Sequence, residues 1–262
     1  MMKFSLKLND CLPYIIKKRL WGDRVKYGLV PDEKDVDWGW WQNNYAQFNN
    51  EFQNKGIGRF INDRGYKVAQ GIKLSNRKVL EYGAGSMLHT KYWSDNPESY
   101  TVVDVHPAMA SFAIEVLEKR EIEFNVVFTK RKQKNQLEKL NTDVVFSFYT
   151  LEHIYDLADH VSEVKSLLRP GGILVGAIPM EGFIAWGLGR YLTTRRWFKN
   201  QTDIDPDKII CWEHPNFASE VIDELERQLK CVKIKYWPFG NLYIFRNFNL
   251  ICSFVYSKES KL

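Results

Sequence analysis

No stretch of about 18 or more apolar residues occurs in the chain, so no segment reads as a membrane-spanning helix. The opening residues, Met1 to Asp10, hold no continuous apolar core followed by a small-residue cleavage site, and no secretory signal is expected. Cysteine is sparse. Cys11, Cys211, Cys231 and Cys252 form no Cys-x-x-Cys pair and no His/Cys cluster at metal-ligand spacing. That leaves out a disulfide framework or a zinc module, and predicts reduced thiols, a cytoplasmic location and no bound metal. Internal repeats and low-complexity tracts are missing too. With 262 residues, the chain can build one sizeable core, or one domain with additions.

Aromatics are plentiful at 15%, with 9 Trp, and many fall outside the central region described next. They are either core-packing rings or the lining of an accessory surface that covers a ligand. The net charge of +5 is gathered at the start, where the first thirty residues carry seven Lys or Arg against Asp10 and Asp23. Such a basic segment can touch anionic lipid, nucleic acid or an acidic substrate, or can be a solvated face. Within it Leu12, Tyr14, Ile15, Ile16, Leu20 and Trp21 alternate with Lys17, Lys18 and Arg19, a short basic amphipathic helix that either docks on its own core or lies on a membrane surface.

The organising stretch is Lys78–Leu88. It holds a short apolar strand, an acid at its end (Glu81), then Gly83, Ala84 and Gly85. Glycines belong where backbone turns sharply off a strand and a ligand must come close. The strict dinucleotide pattern wants a small residue where Leu88 stands, which weakens a nicotinamide or flavin reading. Further strands are predicted over 100–105, 124–129, 143–148, 173–178, 231–237 and 243–256, the last antiparallel, with helical patterns between most of them. Asp104, 19 residues beyond Gly85, ends the second strand, and a carboxylate at that sheet edge can accept both hydroxyls of a ribose. His106-Pro107 opens the next helix. Before the sheet, Trp38, Trp41, Tyr45, Phe48 and Phe52 recur at helical spacing, as core or as a lid. A further helix is predicted over 58–69. His89 and His160 read as helix-surface residues.

The second half of the sheet adds more specific signals. Asp143-Val-Val-Phe-Ser-Phe-Tyr-Thr-Leu151-Glu152-His153, followed by Leu168-Arg169-Pro170-Gly171-Gly172, joins Glu81-x-Gly83-x-Gly85 and Val103-Asp104 in one order over about 100 residues. Together these resemble the type 11-like branch of the class I, seven-strand S-adenosylmethionine-dependent methyltransferases. Met87 departs from the pattern, since many members have a third glycine there. The resemblance implies an α/β, Rossmann-like, doubly wound and mostly parallel seven-strand sheet with helices on both faces. To this are added an N-terminal helical cap over 1–77 and, within a methyltransferase domain over 78–262, a lid-like insertion over 180–212.

It also implies roles. Gly83, Ala84 and Gly85 would approach the methionyl part of S-adenosylmethionine, with Glu81 helping to hold its amino group. Asp104 would take the ribose, Val105 and His106 would flank the adenine, and Phe148 and Tyr149 would lie near the sulfonium, which an aromatic face favours. S-adenosylhomocysteine would be the product. His153 and His214 are the candidate bases, because imidazole titrates near neutral pH. His214 lies in a His-x-x-x-Phe stretch resembling the family's acceptor border. Neither an Asp/Asn-Pro-Pro-Tyr signature nor a Pro-Cys or Thr-Cys dipeptide occurs, which lowers a nucleic-acid acceptor without excluding it. A nucleic-acid methyltransferase and a non-catalytic partner subunit that only binds S-adenosylmethionine stay as alternatives to O-methylation of a sugar, glycan or small metabolite. Arg195, Arg196 and Lys199 would suit a phosphorylated acceptor. The expected partner is a small molecule or saccharide, with lipid-linked acceptors and a peripheral membrane contact through the basic N-terminus left open.

Overall fold

The computed structural model describes residues 11–48, 56–128, 137 and 140–259. The first ten residues, Phe52 and the basic run at 130–134 lie outside the described residues. In chain order the elements are α1 (Tyr14–Trp21), α2 (Arg24–Tyr27), α3 (Val36–Phe48), α4 (Gly56–Tyr66), β1 (Lys78–Tyr82), β2 (Ser99–Asp104), α5 (Pro107–Lys119), β3 (Glu123–Phe128), β4 (Thr142–Phe148), α6 (Leu157–Leu167), β5 (Leu168–Pro179), α7 (Ile184–Leu192), α8 (Thr194–Gln201), α9 (Pro206–Glu213), α10 (Ala218–Gln228), β6 (Lys230–Trp237) and β7 (Ile251–Ser257). Short 3-10 turns lie at Lys67–Ala69, Leu88–Tyr92, Leu151–His153 and Tyr243–Phe248.

The strands form one sheet in the order β3-β2-β1-β4-β5-β7-β6. β1 to β5 run parallel, and β7 is antiparallel to both β5 and β6. This is the α/β, Rossmann-like, mostly parallel seven-strand sheet that the family resemblance implies. β4 reads Thr-Asp-Val-Val-Phe-Ser-Phe and is buried throughout, as a central parallel strand covered on both faces should be. Val161, Val164, Val221 and Leu225 of α6 and α10 cover one face, over Leu80, Val145 and Leu174. Ala113 and Leu117 of α5, with Val68 and Ala69, cover the other, over Val79, Val102 and Val144. A third apolar cluster joins Trp38, Trp41 and Phe48 of α3 to Phe198 of α8 and to Ile209 and Trp212 of α9.

The expected helices appear at 14–21, 36–48 and 56–66. α1 docks through Leu20 and Trp21, and the Trp21 ring meets Phe217 edge-on at 6.1 Å. Two expected strands change. The one expected from 173 begins at Leu168, where Arg169 Nε meets Asp143 Oδ1 at 2.6 Å and the register shifts after Thr142. The one expected from 243 begins only at Ile251. Before it, the fully buried Asn249 accepts from Phe239 N and donates to the carbonyls of Gly240 and Phe245. That amide satisfies a turn that strand pairing would otherwise have to replace.

Candidate active site

Strand order reverses between β1 and β4, and in an open parallel sheet the crevice outside the carboxyl ends at such a point is where ligands sit. Gly83 there has φ 64°, and a Cβ on it would come within 2.6 Å of Thr150 Oγ1. The Thr150 hydroxyl is itself 3.1 Å from the carbonyls of Tyr82 and Phe148. Gly83 is thus required both by its left-handed backbone and by a neighbour across the crevice. Gly85, with φ 49°, has open space where a Cβ would point. Ala84 is buried in the core.

Asp104 is buried at the end of β2, and its Oδ1 accepts from His106 N at 2.8 Å. Burial pushes its pKa up, opposed by the backbone N–H groups of His106 and Val105. Val105 is 58% exposed, and Tyr45 of α3 stacks over the His106 ring at 6.4 Å. The aromatic stripe of α3 therefore does two things: Trp38, Trp41 and Phe48 pack into the third cluster, while Tyr45 covers the crevice.

Glu81 is turned inward. It is 1% exposed, Tyr100 donates to its Oε2, and its Oε1, 3.7 Å from His89 Nδ1, has no hydrogen-bond partner among the described residues. Burial raises its pKa to about 8. His89, expected on a helix surface, is instead 1% exposed, with its ring stacked on Phe148 at 4.7 Å and its pKa lowered by burial to about 3. His160 is half-buried edge-on against Tyr82, its pKa lowered by burial to about 4. Periodicity missed both because the rings fill gaps between an element and the sheet. Tyr149 has φ 55°, and its hydroxyl donates to Asn62 O at 2.6 Å, so it is pinned beneath α4.

Beyond β4 and β5 lies a second group. Glu181, fully buried, accepts from Trp186 Nε1 at 2.9 Å and from Arg190 at 2.7 Å, and lies 3.1 Å from His214 Nδ1. Burial alone would raise its pKa, but the Arg190 and His214 contacts outweigh burial and hold it at about 2. Burial, and then the Arg190 guanidinium, lower His214 to about 3. A base so weak removes protons poorly.

His153 differs. Its Nδ1 lies 2.6 Å from Glu213 O, and because a carbonyl only accepts, Nδ1 carries the proton and Nε2 keeps the lone pair. That Nε2 is 3.9 Å from Glu152 Oε1. Glu152 is 2% exposed, its Oε2 has no hydrogen-bond partner among the described residues, and burial raises its pKa to about 7. The two imidazoles meet edge-on at 4.6 Å, and Trp41 Nε1 donates to Glu213 Oε2 at 2.6 Å. Arg24 closes the group by donating to the carbonyls of His214 and Pro215 at 2.8 and 2.9 Å.

The structure thus brings His153 and His214 together, apart from the Gly83–Asp104 loop pair but on the same sheet edge. Glu181 and Arg190 were missed by sequence reasoning. One signal was available, because Glu181 follows β5 as Asp104 ends β2. Arg195, read as an acceptor-side cation, is buried in a pair with Asp207 and donates to Lys18 O at 2.7 Å, which leaves Arg196 and Lys199 exposed.

Residues 80–176 match the family model described as a methyltransferase domain. Among curated proteins, a 134-residue stretch is 31% identical to the hybrid PKS-NRPS synthetase lepA of Aspergillus flavus, over 45% of this chain; the chain spans only 3% of that relative's length. Among solved structures, the N-methyltransferase NodS of Bradyrhizobium japonicum WM9, in complex with S-adenosylhomocysteine, superposes with a TM-score of 0.55 at 16% identity, covering 85% of this chain and 98% of its own. The [4+2]-cyclase SpnF gives 0.51 at 11% identity, over 78% and 82% of the two chains. The CurJ carbon methyltransferase gives 0.50 at 16% identity, over 84% and 58%. Residues 80–176 thus match a methyltransferase domain, and the chain shares its fold with these solved structures.

Proposed function

We propose that this chain is an S-adenosylmethionine-dependent methyltransferase that methylates a hydroxyl of a sugar, glycan or other small metabolite. The site fits the cofactor: Asp104 offers a carboxylate at the edge for ribose hydroxyls, and Gly85 keeps its backbone open to close approach. Gly83 and Glu81 would serve the methionyl end, with Val105 and His106 beside the adenine, and Phe148 and Tyr149 behind the reacting centre. When bound, the cofactor supplies a methyl group already activated by positive sulfur.

The chain's own work is to align the acceptor and take its proton. Alignment of this kind is worth about 7–11 kcal/mol where the geometry is good. The observation that carries the reading is the fixed tautomer of His153, whose Nδ1–H is held on Glu213 O with Nε2 free to receive a hydroxyl proton. Glu152, beside Nε2, stabilises the imidazolium that results. His214, tied to Glu181 and Arg190, positions the acceptor wall instead. Four free thiols suit a cytoplasmic enzyme.

A second reading, methylation of an amine, is favoured by one observation: the buried and unpartnered Oε2 of Glu152, which would hold an ammonium group well. The discriminating experiment is incubation with methyl-labelled S-adenosylmethionine and a panel of glycosides, amino sugars, small acids and RNA, with the product linkage read by NMR. An O-methyl ether formed roughly 10²–10⁴-fold more slowly by His153→Ala, with affinity for S-adenosylhomocysteine unchanged, supports the proposal. An N-methyl product, or labelling of RNA alone, overturns it.

A further inference from the structure

Three neighbouring segments carry apolar side chains outward and hold no acid. α7 packs against α1 on one side and against the Tyr243–Phe248 turn on the other. Gly187 allows the first approach, since a Cβ there would meet Leu20 Cβ and Trp21 Nε1 at 2.9 Å. With Gly187 and Arg190 facing inward, α7 turns Leu188, Tyr191 and Leu192 outward, at 47%, 40% and 52% exposed. α1 leaves Ile15 and Ile16 outward in the same way, and the turn leaves Phe245 and Phe248. Eight of the nineteen large apolar side chains exposed among the described residues fall in these segments, so the exposure is gathered rather than scattered.

Charge names the partner. Residues 11–22, 182–202 and 239–250 contain eight Lys or Arg and no Asp or Glu, in a chain that has 32 acids elsewhere. Arg190 and Arg195 are spent on buried pairs, but Arg19, Arg196 and Lys199 are exposed. A second copy of the same face would set cation against cation around a two-fold axis, which disfavours a self-dimer. An apolar face ringed by cations, with tyrosines at its rim, is what an anionic bilayer takes at the depth of its headgroups.

We infer that α1, α7 and the Tyr243–Phe248 turn form a docking face for an anionic membrane surface. The inner side of α7 carries Arg190 to Glu181, so docking sets the acceptor-side group just behind the lipid-facing side chains. An acceptor hydroxyl borne on a lipid is then within reach. The docking itself does not depend on the identity of the acceptor.

The test is sedimentation of the full chain with vesicles of phosphatidylcholine alone or mixed with phosphatidylglycerol. Binding to the anionic vesicles, weakened by salt and slight on the neutral ones, is expected. Leu188→Glu with Leu192→Glu should lower partitioning about tenfold or more while calorimetric affinity for S-adenosylhomocysteine stays the same. Arg196→Glu with Lys199→Glu changes only exposed positions, so it decides the matter if the apolar pair fails to fold; it should abolish the preference for anionic vesicles. Equal sedimentation of wild type with both vesicles, or none, overturns the inference. So does unchanged binding by both double variants, or a concentration-dependent dimer that the leucine changes dissolve without any vesicle binding.

Discussion

The two halves of the sheet edge are built differently. The loop after β1 and the acid ending β2 come from one run of chain, Lys78 to His106, and depend on backbone shape more than on charge. The group beyond β4 and β5 is assembled from Arg24, Trp41, His153, Glu181, Arg190 and Glu213, which are scattered through most of the chain. It depends on buried charges that satisfy one another. A nucleotide-type loop can therefore be set by local sequence alone, whereas an acceptor wall is held only when distant segments have already packed.

The sharpest way to separate the halves is His153→Ala. Loss of the base should lower turnover by roughly 10²–10⁴-fold with cofactor affinity unchanged, measured by single-turnover kinetics and calorimetry. Next is Arg190→Met, which strands the Glu181 carboxylate. Leaving one partner of a buried pair costs about 3–5 kcal/mol, so the unfolding midpoint should drop steeply, and adding Glu181→Gln should restore part of the loss. If Arg190→Met also weakened S-adenosylhomocysteine binding at a temperature where the variant is folded, the halves would not be independent.

Asp104→Ala should act in the opposite sense, weakening S-adenosylhomocysteine binding by on the order of 100-fold while the unfolding midpoint moves little. The smallest expected effect is pH-dependent. Glu81 has its folded pKa raised to about 8, so the stability it contributes is full below its ordinary range and is lost as pH rises through about 8. His89, His160 and His214, lowered to about 3, 4 and 3, contribute stability that is full above the ordinary histidine value and lost as pH falls. Denaturant titrations should show Glu81→Gln gaining on wild type between about pH 5 and 8, by on the order of 1–3 kcal/mol. Parallel curves would show that Glu81 is ionised in the folded chain.

Legibility in sequence follows the same divide. The strand series, the glycine turn and the acid ending β2 were readable because each is written in adjacent residues with a period or a punctuating glycine. His153 was readable as a member of Leu151-Glu152-His153, though its tautomer was not, since the carbonyl that fixes it belongs to Glu213, sixty residues on. Glu181 and Arg190 meet only because α7 folds back over β5, and Arg195 was misread because its partner, Asp207, lies on another helix. The strand expected from 243 was overruled by the single amide of Asn249.

The contact between Gly83 and Thr150 carries a consequence for rebuilding the molecule. Loops that follow β1 and β4 touch there with no room for even one methyl group. A chimera that grafts the acceptor half of one such enzyme onto the cofactor half of another has its seam at this contact. The two positions must be transplanted as a matched pair, or the joint will not close.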